Sequence, residues 1–441
     1  MLQKPPSYAY WLRHFLPLAL LLLGIGTFVG CPSKSKDNPA VQTATTNSSS
    51  PTVSSESETS DAASDDDDSL KKSLLENRLT PEELAQGWVR LFDGHTFMGW
   101  DLESSKAKWK IEEGALVAEE GEMSLLCTTS TFADYELMVE FQADAKVNSG
   151  VFLRTPLEPT DPKSDCIELN IAPVDNPFPT ASLVGRSRAE PDVVGPLEEE
   201  AWHTFHALLD GDHIQIWIDG KQVVDYVDTT RLVAGRIGLQ FREGTVRFKN
   251  IRLRPILLNT MLPAQDLSQW QPSKTPSAFQ LDKDGVLHIE KAKEAIEFLQ
   301  PLQNFCFQTE FQASERMAPA SIRLRGPFGN ATQGYRCWLG IPSNRKDAKD
   351  PLLPTGSLQS QRARVTLGEE QGWTNLTIAA HGRHMATWVD GIQVIDWVDP
   401  RAPDEDPQKG YRAEAGSLLL ESNSDQGEVS FRNMKCMPIS Q

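Results

Sequence analysis

Two stretches of this chain decide its fold: WHTFHALLDGDHIQIWIDGKQVVDYVD at residues 202–228 and WTNLTIAAHGRHMATWVDGIQVIDWVD at residues 373–399. They align without a gap at one constant offset, and self-similarity at a fixed spacing is typical of a repeated structural unit. The 441 residues therefore predict a tandem duplication, with a first domain at 80–255 and a second at 256–441. Shorter matches extend the repeat: EFQA at 140–143 and 310–313, LR at 153–154 and 324–325, and VRFKN at 246–250 with VSFRN at 429–433.

The pattern inside each copy predicts β-strands. Residues 135–141 alternate apolar and polar side chains, which places one face in a core and the other toward water. The pairs Asp219-Gly220 and Asp390-Gly391 supply the positive φ angles that tight hairpins require. A shift of the apolar phase at Asn250 predicts a β-bulge. Because a helical pattern occurs only at 81–85, we expect an all-β chain of two tandem β-sandwiches.

The N-terminus is typical of an export signal. Basic residues precede an apolar run from Phe15 to Val29, and Cys31 follows it. A membrane-spanning helix needs roughly 20 apolar residues, so this shorter run favours a signal peptide at 1–31 over an uncleaved anchor. FVGC at 28–31 resembles a bacterial lipobox, which predicts lipidation of Cys31 and an exported lipoprotein anchored to a membrane of the bacterial cell envelope.

Composition narrows the partners and cofactors. Residues 32–79 are dominated by Ser, Thr, Asp and Ala, which predicts a disordered linker. The formal net charge of −18 argues against a nucleic-acid partner. Apart from Cys31, an odd five of the six cysteines remain, so we expect structural or free thiols rather than a disulfide framework. The usual metal and phosphate motifs are absent, and we expect no cofactor. Calcium at Asp210 to Asp212 is a weaker interpretation than a plain hairpin turn.

A series of motifs carries a resemblance to a known family. In chain order the motifs are LFDG at 91–94, GW at 99–100, NSGVFLR at 148–154, IELN at 167–170, AW at 201–202, WIDG at 217–220, GRIGLQ at 235–240 and FKNI at 248–251. The series resembles the 3-keto-disaccharide hydrolase domain family and covers nearly all of residues 88–255. The resemblance implies a concanavalin-like or laminin-G-like jelly roll of two antiparallel sheets, with a carbohydrate ligand on one concave sheet and its loops.

The resemblance also implies a chemistry. Arg154 and Glu168 have apolar strand neighbours, so we expect both side chains to project from a sheet surface. In a 3-keto glycoside the carbonyl acidifies the adjacent C–H, and a base there can expel the anomeric substituent before water adds back. The matched motif positions imply Glu168 as the base, Arg154 as the cation for the enolate and His203 as the acid.

Four further residues are implied as substrate contacts. Asn148 and Asn170 would orient the sugar, and Trp100 would offer a stacking platform. Arg242 takes the place of a histidine in the family pattern, and the acidic residue that usually follows the glutamate motif is replaced near Pro173. Both changes fall in the implied binding site.

Each of these residues also has a purely structural interpretation. Glu168 and Arg154 would form a salt bridge across neighbouring strands, which contributes little by itself. His203 would be a half-exposed strand residue, and the segment 148–150 would be a turn. Trp202 and Trp217 recur in both copies, which favours a core position over sugar stacking.

The second copy retains Arg325 but has YRCW at 335–338 where the first has its glutamate motif, with no evident carboxylate, so we expect a degenerate domain. We therefore expect an exported glycoside hydrolase that acts on 3-keto-disaccharides or related glycosides through its first domain. A pair of non-catalytic carbohydrate-binding modules and a cell-surface scaffold are the alternatives. Catalysis predicts that Glu168 and Arg154 converge on one cleft, binding predicts exposed aromatic rings, and a scaffold predicts an exposed apolar patch. The oligomeric state stays open.

Overall fold

The computed structural model describes residues 62–439 except for short segments, and for residues 62–68 it describes the backbone only. The omitted segments are 145, 196, 199–200, 257, 263–265, 291–293, 314–319, 331, 341–352, 368–371, 413 and 423–427. The predicted signal peptide with Cys31, and most of the predicted linker, lie outside the described residues.

Thirteen strands build the first domain. They are β1 (Val89–Arg90), β2 (Trp100–Asp101), β3 (Ala107–Glu112), β4 (Ala115–Gly121), β5 (Ser124–Thr128), β6 (Tyr135–Ala143), β7 (Asn148–Thr155), β8 (Ile167–Ile171), β9 (His203–Asp210), β10 (His213–Ile218), β11 (Lys221–Val227), β12 (Arg236–Glu243) and β13 (Val246–Pro255). An eight-stranded sheet has the order β11-β10-β9-β6-β13-β4-β3 with β1 paired to β13, and a five-stranded sheet has the order β2-β5-β12-β7-β8.

The second domain repeats this plan strand by strand. Its strands are β14 (Asn259–Thr260), β15 (Trp270–Pro272), β16 (Phe279–Leu281), β17 (Leu287–Ile289), β18 (Glu294–Leu302), β19 (Phe305–Ala313), β20 (Ala320–Gly326), β21 (Tyr335–Leu339), β22 (Thr374–His381), β23 (His384–Val389), β24 (Ile392–Val398), β25 (Gly416–Ser422) and β26 (Val429–Pro438). The sheets are β16-β17-β26-β19-β22-β23-β24, with β14 paired to β26, and β15-β18-β25-β20-β21. The prediction of an all-β chain with two jelly-roll sandwiches is therefore confirmed.

The turns and the bulge follow the sequence signals. Asp219 and Asp390 have φ angles of 48° and 47°, and the following glycines are also positive, as tight hairpins require. The register of β13 against β6 shifts between Lys249 and Arg252, and Asn250 within this bulge has a φ of 49°. The acidic turn at 210–212 is a tight connection between β9 and β10, in which the Gly211 N–H donates to Asp134 at 2.7 Å.

Helices lie at the start of the described chain and in one loop: α1 (Ala62–Glu76), α2 (Pro81–Gln86) and α3 (Pro191–Val194). In α2 the Thr80 hydroxyl accepts from the Glu83 N–H, and the Glu83 carboxylate accepts from the Thr80 N–H, so the predicted helical turn at 81–85 has a full capping box. Helix α1 lies in the segment that we expected to be disordered linker. The expectation fails there because the fully buried Leu74 packs into the core of the second domain.

The two sandwiches pack directly on each other. Alternate residues of β22 and β23 face opposite sides: Ile378 belongs to the core of the second domain, whereas Ala379, Ala386 and Trp388 belong to the buried apolar cluster of the first. The Trp388 indole N–H donates to the Arg90 carbonyl at 3.0 Å. The outer face of the second eight-stranded sheet therefore forms the junction between the domains.

The cysteines that the structure describes, Cys127, Cys166, Cys306, Cys337 and Cys436, are all free and buried. Burial raises the pKa of the Cys306 thiol to about 12, so it is protonated and unreactive at neutral pH. None of the described helices combines the length and the apolar character that a membrane span requires.

Candidate functional site

Glu168 lies on the outer face of the five-stranded sheet of the first domain. Its neighbours in β8, Ile167 and Leu169, point into the core, so the alternation of the strand directs Glu168 the other way. Strand pairing sets Glu168 opposite Phe152 of β7. The orientation that the sequence predicted for Glu168 is thus the one that the strand adopts.

Two glycines leave the outer face of the sheet without side chains next to Glu168, and we call this side-chain-free patch the depression. Gly150 lies on β7, and Gly238 lies opposite Phe152 on β12. A Cβ atom at Gly238 would come within 3.1 Å of Leu125 and 3.2 Å of Phe152, and one at Gly150 would come within 3.5 Å of the Glu168 Cγ. Glycine within a strand often marks a place where a ligand approaches the backbone closely.

The carboxyl group of Glu168 is held in an unusual electrostatic state. Glu168 is 9% exposed, and no described residue donates a hydrogen bond to its carboxylate. Burial raises the pKa of Glu168 to about 7, and the positive charge of Arg242 partly opposes this rise. A carboxyl group with a pKa near neutrality can both take up and release a proton at physiological pH.

Gln240 and Arg242 extend the same face along β12. Ile237, Leu239 and Phe241 of this strand are buried in the core, so Gln240 and Arg242 alternate outward. The Gln240 Oε1 atom is buried and has no partner among the described residues. An unpaired buried acceptor is costly, which suits a site that receives a ligand hydroxyl. Arg242 was expected here from its place in the motif series, whereas Gln240 was not, although the alternation of β12 puts both on the same face.

The two asparagines share the face with Glu168 but differ in their contacts. Asn148 opens β7 and alternates with Gly150 and Phe152, so it lies at the rim of the depression. The Asn170 amide donates to the Phe178 carbonyl, and its backbone N–H donates to the Ser182 carbonyl at 2.9 Å. Asn170 therefore fastens the loop that follows β8. The segment 148–150 is part of a strand and not the turn of the alternative interpretation.

A buried ion pair supports that loop. The Val184 N–H donates to the Glu168 carbonyl at 3.0 Å, so the loop continues the sheet beyond β8. Arg186 donates from Nε to the Asp228 carboxylate at 3.1 Å, and both side chains are nearly inaccessible. The backbone of Glu168 is thus held between β7 on one side and this anchored loop on the other.

Arg154 does not reach the face on which Glu168 lies. Its φ is 48°, within a bulge that interrupts the pairing of β7 with β12, and the bulge redirects the side chain. The guanidinium donates to the carbonyls of Ala133, Gly211 and Leu232 at 2.6–2.8 Å and to Asp134 at 2.9 Å. With a side chain 2% exposed and these bonds made, Arg154 holds loops at the end of the sandwich. The expected convergence with Glu168, as catalytic partners or as a salt bridge, is not observed.

The tryptophans also differ from expectation. Trp100 is buried in the core, where its indole N–H donates to the Leu91 carbonyl at 2.7 Å, so it offers no stacking platform. Trp202, just before β9, and Trp217 in β10 were expected in the core but are half-buried. The Lys249 ammonium lies 3.8 Å from the Trp202 ring centroid, and the His206 ring stacks on Trp217 at 4.6 Å.

His203 lies in a different part of the domain from Glu168. It opens β9 in the eight-stranded sheet, and its two ring nitrogens lie 2.8 Å from the Asp219 carboxylate and 3.1 Å from the Glu198 carbonyl. It lines a largely apolar cavity of about 760 Å³ at one end of the sandwich, together with Phe141, Val147, Ile171 and Val194. Because both ring nitrogens already have partners, His203 is not placed to protonate a leaving group near Glu168.

The described residues contain no cluster of three or more His, Cys, Asp or Glu side chains that could hold a metal ion. A model of the 3-keto-alpha-glucoside-1,2-lyase-like domain family matches residues 87–254 and again residues 258–437. The chain belongs to this family. Both of its sandwiches are 3-keto-alpha-glucoside-1,2-lyase-like domains, so the resemblance that the motifs carried is confirmed.

Comparison with individual proteins gives more distant likenesses. A curated relative from Bacteroides thetaiotaomicron (strain VPI-5482), named 3-keto-disaccharide hydrolase, is 28% identical over 151 residues, which are 32% of this chain and 47% of the relative. The chain thus spans about half the length of that relative. A solved structure of an inferred glycosyl hydrolase from Parabacteroides distasonis is 17% identical and covers 41% of this chain and 99% of its own, with a TM-score of 0.36. The solved structure of a carbohydrate-binding module from Bacillus subtilis is 14% identical, and the match covers 35% of this chain and 94% of the module, with a TM-score of 0.28.

The second lyase-like domain has lost the depression. Pairing of β21, β20 and β25 sets Arg336, Arg323 and Leu419 in one row, where the first domain has Glu168, Phe152 and Gly238. Arg323 donates to Glu421 at 2.9 Å, and the Arg336 guanidinium lies 3.8 Å from the Trp338 ring centroid. The degenerate copy therefore fills its site with paired charges. It does contain a carboxylate, Glu421, which the sequence comparison missed because this residue lies on β25 and not on the strand that was compared.

Proposed function

We propose that the first sandwich hydrolyses 3-keto-disaccharides or related glycosides, with Glu168 as its acid–base residue. The observation that carries this proposal is the buried carboxyl of Glu168 beside a depression floored by glycines, with its pKa raised to about 7. Family membership and the name of the curated relative support the substrate class. In the second domain Gly150, Gly238 and Glu168 are replaced by Ser321, Leu419 and Arg336, which supports the assignment of activity to the first.

The proposed reaction proceeds by elimination and hydration. The 3-keto group makes the hydrogen on C2 acidic, and the Glu168 carboxylate takes that proton. The electron pair of the broken C2–H bond first forms an enolate with its charge on the C3 oxygen. As the C3 carbonyl is restored, this pair forms the C1–C2 double bond and the C1–O bond breaks, and the leaving oxygen receives the proton from the now neutral Glu168 carboxyl. Water then adds its oxygen to C1 and a proton to C2, so that the net reaction consumes one water and cleaves the glycosidic bond.

Arg242 and Gln240 complete the proposed site. The positive charge of Arg242, which already acts on Glu168, stabilises the enolate oxygen that develops at C3. The unpaired Oε1 of Gln240 accepts a hydrogen bond from a sugar hydroxyl, and Asn148 at the rim offers a further amide. Arg242 thereby takes the role that the sequence suggested for Arg154.

The binding-module alternative predicts exposed aromatic rings. Among the described residues, the only aromatic side chain with large exposure is Phe328, and it belongs to the second domain. The large exposed apolar side chains of the first domain among the described residues are not aromatic: Leu102, Met123, Val174, Val193, Val227 and Val233. These observations favour a reaction site over a stacking platform.

We propose further that the chain is an exported lipoprotein, held at a bacterial membrane through acylation of Cys31. The lipobox-like FVGC at 28–31 after an apolar run supports this proposal. Cells that express the chain are fed radiolabelled palmitate, and label is expected on the wild type and not on Cys31→Ser. Equal labelling of both proteins would refute the anchor at Cys31.

The catalytic proposal is tested with the purified chain and a 3-keto glucoside as substrate. Glu168→Gln keeps the shape and removes the acid–base group, and we expect turnover to fall by roughly 10²–10⁴-fold. The matched control is Glu120→Gln, which changes an exposed glutamate of the same domain and is expected to keep wild-type turnover. Undiminished turnover in Glu168→Gln would remove Glu168 from the reaction, and stabilisation by the sugar without product would favour the binding module.

A further inference from the structure

Two arginines meet at the junction between the sandwiches. Arg90 belongs to β1 of the first domain, and Arg364 belongs to the second domain, in the connection between β21 and β22. Arg364 donates from Nη1 to the Asp93 carboxylate at 2.7 Å and to the Thr96 hydroxyl at 2.9 Å, and from Nε to the Gln393 carbonyl at 2.9 Å. The Arg90 guanidinium lies in the electrostatic field of both Asp93 and Arg364.

The carboxylate between them is already fully used. Oδ1 of Asp93 accepts from the N–H groups of His95 and Thr96, each at 2.7 Å, and Oδ2 accepts from the Thr96 hydroxyl and from Arg364. Although burial opposes ionisation, these hydrogen bonds and the charge of Arg364 lower the pKa of Asp93. The cluster therefore holds two positive charges and one negative charge, an excess of one positive charge in a mostly buried place.

Two donors of this cluster have no acceptor. The Nη1 atom of Arg90 and the Nη2 atom of Arg364 are buried and lack any partner among the described residues. Both arginines line one small cavity with Leu91, Asp93, Met98, Ile392 and Gln393. The Asp93 carboxylate in that lining is the acceptor already used by Thr96 and Arg364. Its free volume is about 10 Å³, which is room for about one water-sized sphere. Buried donors without acceptors are costly, most of all when they are charged.

We propose that a single halide ion, chloride under physiological conditions, occupies this cavity and bridges Arg90 and Arg364. A monatomic anion satisfies both orphaned donors and cancels the excess charge, whereas a water molecule satisfies the donors only. A space for about one water-sized sphere favours a monatomic anion over a polyatomic one such as sulfate. The backbone N–H of Arg90 also donates to the Gly391 carbonyl of the second domain at 2.8 Å. A bound ion therefore fixes β1 against the second sandwich, and the stability of the junction depends on chloride.

The first test compares the full chain in sodium gluconate and in sodium chloride at the same ionic strength. We expect chloride, at about 150 mM, to raise the Tm by about 1–3 °C in a saturable manner. Arg90→Gln removes one donor and should abolish the rise. Arg188→Gln changes an exposed arginine of the first domain and should keep it. An equal chloride response in wild type and Arg90→Gln would overturn the proposal.

The second test does not depend on the variant folding. Crystals of the wild-type chain are soaked in sodium bromide, and an anomalous peak is expected within hydrogen-bonding distance of Arg90 Nη1 and Arg364 Nη2. A peak at that position supports the halide site. Density for a water molecule only, without anomalous signal, would overturn it.

Discussion

Arg154 and Arg325 occupy the same bulge in the two sandwiches, with φ angles of 48° and 53°, and each donates to the carbonyl of a turn glycine, Gly211 or Gly382, at 2.6 Å. Each also donates from Nε to a carbonyl just before a strand of the eight-stranded sheet, Ala133 before β6 or Gln303 before β19. The arginine is therefore a structural element of the repeat, which ties together loops at one end of the sandwich: three in the first domain and two in the second.

Replacement of Arg154 by Met should destabilise the fold without affecting the proposed chemistry directly. Removing the guanidinium takes the donor from the buried Ala133 carbonyl and from the partly buried Gly211 and Leu232 carbonyls, and one donor from Asp134, and we expect a loss of about 3 kcal/mol or more in the free energy of unfolding. Urea denaturation measures this loss. Arg188→Met, at an exposed position, is the control and should change stability by less than about 0.5 kcal/mol. A stable Arg154→Met protein without turnover would return Arg154 to the catalytic site.

The rate of the proposed reaction should rise with pH through about 7. Glu168 must be ionised to take the C2 proton, and its pKa is raised to about 7 by burial. The dependence of kcat/KM on pH, measured with a 3-keto glucoside, reports this ionisation in the free enzyme. A profile that stays flat between pH 6 and pH 8, roughly one unit on either side of 7, would contradict the assignment.

Arg242 should tune that profile. Its positive charge favours the ionised form of Glu168 and so lowers the pKa of that carboxyl group. Arg242→Gln should shift the rising limb of the pH profile to higher pH and lower kcat, because the enolate loses its cation. Arg188→Gln should leave both unchanged. An unshifted limb would show that Arg242 does not act on Glu168.

Stability should respond to the same group with the opposite sign. Because the pKa of Glu168 is raised in the folded state, the folded chain holds more protons than the unfolded chain between about 4.5 and 7, and stability falls as pH rises through this window. Glu168→Gln removes this cost, so at pH 8 it should exceed the wild type by about 1–3 kcal/mol in the free energy of unfolding. Near pH 4 the two proteins should be alike. Denaturation curves at both pH values decide the point, and a less stable variant at pH 8 would contradict the burial of an unpaired carboxyl group.

Gly238 beside the depression can be replaced by the residue that the second domain has at the matching position. Gly238→Leu introduces the residue that Leu419 places at the matching position. The new side chain would press against Leu125 and Phe152 and cover the depression, so we expect KM for the sugar to rise tenfold or more, as an order of magnitude. Turnover assays give this value, and circular dichroism confirms folding. A folded Gly238→Leu protein with wild-type KM would place the substrate elsewhere.

The duplication, the hairpins and the Asn250 bulge could be predicted from sequence because each depends on local pattern: an ungapped repeat, Asp-Gly pairs and a phase shift. The outward position of Glu168 followed from strand alternation. Arg154 could not be placed in this way, because a bulge breaks the alternation and turns the side chain inward. Its recurrence as Arg325 in a copy that lacks the glutamate was the signal for a structural role.

The remaining differences arise from tertiary packing. A tryptophan pattern does not say which face of a strand a neighbouring domain will cover, so Trp217 stays half-buried while the matching Trp388 is enclosed by the first sandwich. The IELN motif with Glu168 and the AW motif just before His203 follow each other in the motif series, yet the two residues belong to different sheets. Strand pairing decides this: β9 with His203 pairs with β6 in the eight-stranded sheet, whereas β8 with Glu168 pairs with β7 in the five-stranded sheet.

The packing of Trp388, Ala379 and Ala386 into the first sandwich has a practical consequence for anyone who divides this protein. A fragment that ends near residue 255 would expose an apolar surface around Phe132 to solvent, and a fragment that begins there would expose the indole of Trp388. Both fragments would be prone to aggregate in solution. The second sandwich thus covers an apolar surface of the first, and we expect each half to need the other to stay soluble.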